Sequence, residues 1–382
     1  MNISELYSKI KELLPVKQGD TDFQETLQKA LSDYTSDVQQ LDSSVFSNKD
    51  EKEETISKVE NLNKGICQII DLYFGGRHGE AFRLFQQLMN GPDGLFEQIG
   101  VLTIKKQTET EERNEEGQIV KKSVPTTLFR AREFKDKRGH SYEEMFHIPL
   151  DQRGIVKTQR YSSPGYPCLY LGKTIYACWE EMHRPRFDDL MFSGFRVRLD
   201  FDVYDLRVPQ LKDFGDENLY KTLLRLPLII ACMKNDNDPF KPEYIIPQLL
   251  IETIISNNQN KMETELGPGD LVWGVTYSST HVSRDFPYSF TFLDNIALPV
   301  VLSNDKHCSV LASLFDISNP LCLEYEELKN NDSGIMWAYP YPESEEAQLR
   351  EQYNVSKMGY MEDRIRYFGE YNTIPYLYFD EP

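Results

Sequence analysis

The hydrophobic pattern of the chain changes once, across a highly charged segment at residues 105–124. Before this segment, apolar residues recur with helical spacing, as they do at Ile56, Val59, Leu62, Ile66, Ile69 and Ile70. After Pro125, strand patterns alternate with apolar stretches that are long enough to be helices. The sequence therefore predicts an all-α helical domain at residues 1–104, followed by an α+β domain.

The charged segment 105–124 is too poor in apolar residues to form a core, so it predicts a linker or an exposed hairpin. The α+β domain is expected to span residues 125–330. Its clearest elements are a strand at Phe195–Val203 and helices at Leu219–Met233 and Tyr244–Ile255. Residues 331–382, which are rich in Tyr, Glu and Pro, are expected to form a C-terminal tail that packs on this domain.

Composition and charge narrow the class of protein. No apolar run reaches the ~18 residues of a membrane-spanning helix, and the N-terminus lacks the apolar core of a signal peptide. We therefore expect a soluble cytoplasmic protein without membrane partners. The net charge of −19 repels a phosphate backbone at a distance, so nucleic acid is not an expected partner.

Cysteine and histidine spacing argues against a metal centre. The six cysteines are scattered and form no C-x-x-C pair, which is typical of reduced, buried thiols. The six histidines show no ligand spacing such as H-E-x-x-H. No P-loop and no dinucleotide-binding glycine motif occurs, so no metal or bound cofactor is expected.

The most informative stretch runs from Arg160 to Pro185. A Pro-Gly turn at 164–165 precedes a short strand through Leu169-Tyr170-Leu171, and a helix is predicted from near Thr174 to just before Pro185. The predicted strand, turn and helix therefore follow one another with short connections. Such a segment can position a functional side chain.

Helical geometry separates the two glutamates of this helix. Its predicted buried stripe consists of Ile175, Cys178, Trp179 and Met182. At ~100° per residue, Glu181 lies near the edge of the stripe and Glu180 lies almost opposite to it. We therefore expect Glu181 to border a pocket and Glu180 to face water.

This stretch resembles the RES domain, a family named for an arginine, a glutamate and a serine. The resemblance covers about residues 125–302. It is carried by Phe129-Arg130-Ala131-Arg132, Arg160 to Gly165, Leu169-Tyr170-Leu171, Glu181, and Gly274 to Ser279. The chain departs from the family pattern at Tyr161-Ser162, at Gln159 and at Cys178, which takes the place of an alanine.

The resemblance implies a fold similar to that of ADP-ribosyltransferases and a reaction that consumes NAD as a substrate, with hydrolysis or phosphorolysis releasing nicotinamide. It also implies a toxin restrained by an antitoxin or other inhibitor protein. The helical domain is similar to the HEPN-type extensions of some RES proteins. A nuclease role is not expected, because residues 1–76 contain no arginine and His78 is the only histidine before residue 140.

The resemblance gives roles to five residues. Glu181 would stabilise the positive charge that forms on ribose, and Arg130, then Arg160, would bind the pyrophosphate. Arg132 remains an alternative to Arg130 as the family arginine. Tyr170 would stack on nicotinamide or bind ribose, and Ser279 would hold Glu181 or the ribose by a hydrogen bond.

Other functions stay open at this point. The same fold could transfer ADP-ribose onto a protein, or could serve as a binding module without catalysis. The acidic, amphipathic helices at residues 1–104 suit homo-oligomer formation, autoinhibition, partner binding or structural support.

Overall fold

The computed structural model describes residues 1–17, 22–91, 94–113, 119–134, 139–215, 218–235, 241–263, 271–280, 293–301, 306–323 and 353–374. Its helices are α1 (Ile3–Leu13), α2 (Phe23–Gln39), α3 (Lys49–Phe74), α4 (His78–Asn90), α5 (Leu95–Ile99), α6 (Ile175–Glu181), α7 (Leu219–Cys232), α8 (Ile245–Glu263), α9 (Ser309–Leu314) and α10 (Lys357–Phe368). Its strands are β1 (Val16–Lys17), β2 (Val101–Ile104), β3 (Gln107–Arg113), β4 (Ile119–Pro125), β5 (Thr127–Glu133), β6 (Cys168–Gly172), β7 (Leu190–Val197), β8 (Phe201–Leu206), β9 (Lys234–Asn235), β10 (Val272–Ser278), β11 (Asp294–Pro299), β12 (Phe315–Ser318) and β13 (Tyr371–Thr373).

The chain forms two compact units, and both draw on distant parts of the sequence. The helical unit comprises residues 1–102, 157–163 and 203–280. The sheet unit comprises residues 103–156, 164–202 and 281–382. The architecture is α+β, as the sequence predicts. Within the described residues, no helix combines the length and the apolar character that crossing a bilayer requires.

Helix α7 lies at the centre of the helical unit and packs against α2, α3, α5 and α8. Its side chains are buried almost all the way round, and the Tyr34 hydroxyl of α2 donates to the Leu223 carbonyl at 2.7 Å. Helices α1, α2 and α3 begin at side-chain caps, such as the reciprocal hydrogen bonds between Asn2 and Glu5. Segments that the pattern assigns to the α+β domain therefore complete the core of the N-terminal helices.

The sheet unit contains a run of strands in the order β13-β12-β7-β5-β6-β11, and its neighbouring strands are antiparallel. Strand β5 pairs with β7 along its whole length, from Thr127–Arg196 to Glu133–Leu190. It pairs with β6 at one position alone, Phe129–Gly172. Strands β5 and β6 therefore lack paired residues beyond that point.

The charged segment forms a hairpin in which β3 pairs with β4 from Gln107–Pro125 to Arg113–Ile119. Between these strands, residues 114–118 lie outside the described residues. In the predicted tail, 353–374 supply α10 and β13 to the sheet unit. The tail prediction for residues 331–352 and 375–382 lies outside the described residues.

The predicted continuous strand Phe195–Val203 is wrong. Strand β7 ends at Val197 and β8 begins at Phe201, and Leu199 between them is 55% exposed. The alternation of apolar and charged residues continues across the break, so periodicity alone does not reveal it.

Candidate functional site

Helix α6 sits directly on strand β6 because the turn between them is tight. The Thr174 hydroxyl accepts a hydrogen bond from the Ala177 amide at 3.0 Å and caps the helix. A Cβ at Gly172 would lie 2.7 Å from Cys178 Sγ and 3.0 Å from the Thr174 carbonyl oxygen. Only glycine at position 172 therefore permits this close approach of strand and helix.

A Gly172→Ala substitution should move α6 away from β6. We expect a loss of about 1–3 kcal/mol in the free energy of unfolding, because the new methyl group overpacks the contact. The measurement is urea denaturation beside Gly154→Ala, whose added Cβ meets nothing within 4 Å. Equal stability of the two variants would contradict the close packing described here.

Glu181 lies at the C-terminal end of α6, where its side chain is half-buried. The Asn295 side-chain amide donates to Glu181 Oε1 at 3.1 Å and to the Leu293 carbonyl at 3.2 Å. Strand β11 places Asn295 opposite Gly172 of β6, so the amide is fixed beside the helix. Sequence reasoning missed Asn295, because the sequence does not show that β11 pairs with the strand β6 that precedes α6.

The expectation that Glu180 faces water is wrong. Glu180 is 2% exposed, and its carboxylate accepts a hydrogen bond from the Tyr176 hydroxyl. Arg184 Nε donates to the other carboxylate oxygen at 2.9 Å. The helix is covered on more than one face, so Glu180 is a paired structural carboxylate and Glu181 is the one nearer the surface.

Tyr170 and Cys178 line the same side of β6 and α6. Tyr170 precedes Gly172 by two residues, pairs with Ala297 and is half-buried. Burial raises the pKa of the Cys178 thiol to about 12, and its Sγ donates to the Phe129 carbonyl at 3.2 Å. Cys178 is therefore a protonated core thiol rather than a nucleophile.

Arg130 and Arg132 form a pair of cations on the opposite face of β5 from Phe129. Arg130 Nη1 and Arg132 Nη2 both donate to the Phe146 carbonyl, at 2.8 and 3.2 Å. Burial, followed by the charge of Arg132, lowers the pKa of Arg130 to about 9, so it is still a cation at neutral pH. Among the described residues, no carboxylate lies within ion-pair distance of either guanidinium.

His147 beside the arginine pair is held neutral. Its Nε2 accepts from the Cys308 amide at 2.9 Å, which requires Nδ1–H to donate to the Ile148 carbonyl at 2.8 Å. Burial lowers the pKa of His147 to about 3. The ring thus adds no charge to this region, and the two guanidinium groups set its electrostatics.

Electrostatic coupling joins the two sets of residues. Burial and the charge of Arg132 lower the pKa of Arg130, whereas Cys178 and Tyr170 raise it. Arg130 lies just beyond Phe129–Gly172, the single pair that joins β5 to β6. Tyr170 and Glu181 thus lie on the α6 side of the sheet unit, whereas Arg130 lies on the neighbouring strand β5 with its side chain on the face opposite to Phe129.

The other two expected site residues belong to the helical unit. Arg160 is 9% exposed and donates to the Cys232 carbonyl at 2.6 Å and to the Thr280 hydroxyl at 2.8 Å. Its guanidinium also lies over the ring of Tyr244, 5.2 Å from the centroid. Ser279 is fully buried. Within their unit, both residues are enclosed, and Arg160 has structural partners for its donors.

Glu362 of α10 supports the helix that carries Glu181. It accepts hydrogen bonds from the Ile175 amide at 2.6 Å and from the Tyr353 hydroxyl at 2.5 Å. Burial raises the pKa of this carboxyl to about 7, although both donors and Arg366 favour its ionised form. Sequence reasoning missed Glu362, because no local pattern links it to a helix 187 residues earlier.

The raised pKa of Glu362 predicts a pH dependence of stability. Between about pH 4.5 and about pH 7 the unfolded chain ionises this carboxyl while the folded chain keeps it protonated. Folding binds a proton in that window, so stability should fall as the pH rises, by about 3 kcal/mol in total. Urea denaturation across this range should show a shallower slope in Glu362→Gln than in wild type, and the remaining slope comes from other buried carboxyls whose pKa is raised by burial, such as Glu252 and Asp363. Parallel pH profiles would contradict the assignment.

Comparison with known proteins finds a relative with significant sequence similarity to this chain. The chain is 30% identical over 331 residues to a protein of Bacillus subtilis (strain 168) named "Putative toxin YopC". The match covers 80% of this chain and 68% of that protein. No protein-family model matches the chain, and no solved structure matches it.

Proposed function

Because this chain belongs to the family of the Bacillus subtilis protein named "Putative toxin YopC", we propose that it is a toxin that cleaves the bond between nicotinamide and ribose in NAD. The name of the relative supports the toxin role alone. The chemistry rests on Glu181, held by Asn295, and on two arginines of the same unit that have no described carboxylate within ion-pair distance. The resemblance to the RES domain stays a prediction from the sequence.

Glu181 supplies the negative charge that stabilises the transition state when this bond breaks. When the bond between ribose C1′ and the pyridinium nitrogen breaks, its electron pair goes to the nitrogen and neutral nicotinamide leaves. Positive charge develops on the ribose, as it does in glycoside hydrolysis. A carboxylate fixed near C1′ stabilises that charge without having to reorganise during the reaction.

The arginine pair suits the other end of the substrate. The pyrophosphate of NAD carries two negative charges, and a guanidinium binds phosphate oxygens with two parallel hydrogen bonds. Arg130 and Arg132 already lie together on one carbonyl, and burial weakens their hydration. A ligand anion would offset the repulsion between the two guanidinium groups.

The acceptor of ADP-ribose comes from outside the protein in this proposal. The Cys178 thiol is protonated and bonded to a backbone carbonyl, so no described side chain beside Glu181 is an activated thiol nucleophile. Water or phosphate would attack C1′ and lose a proton to Glu181 or to solvent. ADP-ribose or its 1″-phosphate would then be the product.

The test is NAD consumption by purified protein, in buffer with and without phosphate, with products identified by mass. Partner proteins are removed under denaturing conditions before refolding, since a toxin is expected to carry an inhibitor protein when produced in a living cell. Release of nicotinamide supports the proposal, and the phosphate dependence names the acceptor. Stable NAD with refolded protein overturns it, and ADP-ribose found on a protein instead identifies a transferase.

A further inference from the structure

A second basic site lies in the sheet unit, beyond the end of β7. It is a pocket of about 350 Å³ whose polar lining consists of Lys106, Gln107, Arg196, Arg198, Ser313 and Asp316. Strand pairing places Arg196 of β7 opposite Asp316 of β12, and the base of the β3–β4 hairpin forms another wall. Neither the sequence motifs nor the proposed NAD chemistry uses this pocket.

The charge of the pocket is opposite to that of the chain. Lys106, Arg196 and Arg198 contribute three positive charges and Asp316 one negative charge, so the lining carries a formal charge of +2. The whole chain carries −19. Arg198 Nε lies 3.7 Å from Asp316 Oδ1, and Thr373 donates to the same oxygen at 2.8 Å. Asp316 therefore already interacts with Arg198 and Thr373, and its single negative charge leaves the lining with a net positive charge.

The two arginines have donors that the protein does not satisfy. Arg196 stacks over the Tyr371 ring at 3.7 Å and donates Nη2 to the Arg366 carbonyl, but its buried Nε has no partner. Arg198 Nη1 is also buried without a partner, while a third of its side chain is exposed. An unsatisfied buried donor is costly, so rotation of Arg198 toward an acceptor in the pocket is favourable.

The pocket is separate from the region of Glu181. Strands β7, β5, β6 and β11 are successive neighbours, and the last of them carries Asn295, the partner of Glu181. At about 4.8 Å per strand, three spacings separate β7 from β11 by roughly 14 Å. Arg130, the proposed pyrophosphate ligand, pairs with Ser193, and Arg196 lies three residues further along β7, about 10 Å away and on the other face of the sheet.

We propose that the pocket binds the phosphate group of a small molecule. A phosphate monoester carries close to two negative charges at neutral pH, which matches the charge of the lining, and arginine binds such oxygens in pairs. A carboxylate would leave one cation without a counter-charge. The volume is at the lower end of small-molecule sites, so it accommodates a phosphorylated metabolite rather than a bare ion alone.

The experiment is isothermal titration of the full chain, without NAD and at constant ionic strength, with inorganic phosphate, ribose 5-phosphate or acetate. We expect ribose 5-phosphate to bind more tightly than acetate, and Arg198→Gln to weaken its binding about 10- to 100-fold, because charge-assisted hydrogen bonds are lost. The matched control is Lys121→Gln, which removes one exposed positive charge from the hairpin strand β4.

Each arm has a distinct outcome. Tighter binding of ribose 5-phosphate than of inorganic phosphate supports the proposal, whereas equal affinity would show a site for the free ion and overturn the small-molecule ligand. Equal weakening by Arg198→Gln and Lys121→Gln would reveal nonspecific charge and overturn the proposal. Loss of binding in Arg130→Gln but not in Arg198→Gln would also overturn it, by locating the phosphate beside Glu181. NAD cleavage is not a readout, so these results stand apart from the proposed function.

Discussion

Replacing Glu181 with Gln should lower the rate of nicotinamide release from NAD by about 10²- to 10³-fold. Gln has the same shape, and its carbonyl oxygen can still accept the hydrogen bond from Asn295. What it lacks is the negative charge that stabilises the cationic ribose. The measurement is kcat/KM for nicotinamide release, with kcat carrying most of the loss because the charge forms only in the transition state.

The control for this variant is Glu109→Gln, which removes a carboxylate from an exposed position on the hairpin strand β3. Its rate should equal that of wild type. Thermal denaturation of Glu181→Gln should show a folded protein with a midpoint close to that of wild type. A variant that retains the wild-type rate would remove Glu181 from the chemistry and leave the proposed mechanism without its central group.

Replacing Arg130 with Gln should raise KM for NAD by about 10- to 100-fold, since a hydrogen bond between charged groups is worth about 1.5–3 kcal/mol. Arg132→Gln should have a smaller effect, because the pKa of Arg132, which burial lowers, is raised by the charge of Glu144, and this carboxylate already offsets part of the positive charge. Arg130→Lys should have a KM for NAD close to that of Arg130→Gln, because an ammonium group cannot form the planar pair of hydrogen bonds that a guanidinium forms. Steady-state kinetics of the three variants gives the comparison.

Arg186→Gln serves as the matched control, because this side chain is 79% exposed on the sheet unit. It loses the same charge and should keep the KM of wild type. If Arg132→Gln proved the more harmful of the pair, the family arginine would be Arg132. If neither changed KM, the pyrophosphate would have to bind elsewhere.

The local structure around Glu181 follows from the sequence. Thr174 is a favourable N-cap, and the helix it begins ends before Pro185, as predicted. The burial of Glu180 does not follow, because periodicity assumes that one face of a helix is covered. Here Tyr176 packs with Leu293 and Tyr353, so distant segments cover further faces of α6. That long-range packing leaves no trace in the local pattern.

Local sequence patterns also do not predict which segments make up each of the two compact units. The hydrophobic pattern along the sequence predicts a domain boundary near residue 104, because a highly charged segment follows there. In the structure, α7 and α8 join the N-terminal helices to form the helical unit. An apolar helix such as α7 is predicted correctly as a helix, but its sequence does not show which of the two compact units it belongs to.

The contact between α10 and α6 makes an early part of the sheet unit depend on a part that is synthesised much later. Helix α6 leaves the ribosome long before Glu362, which lies 187 residues beyond Ile175. Until α10 emerges, the first amide of α6 lacks its carboxylate, and the core around Phe129 lacks Met361 and Ile365. Nascent chains would therefore carry Glu181 on an unsupported helix. Any function that depends on the position of Glu181 would therefore require residues 357–368 to be in place.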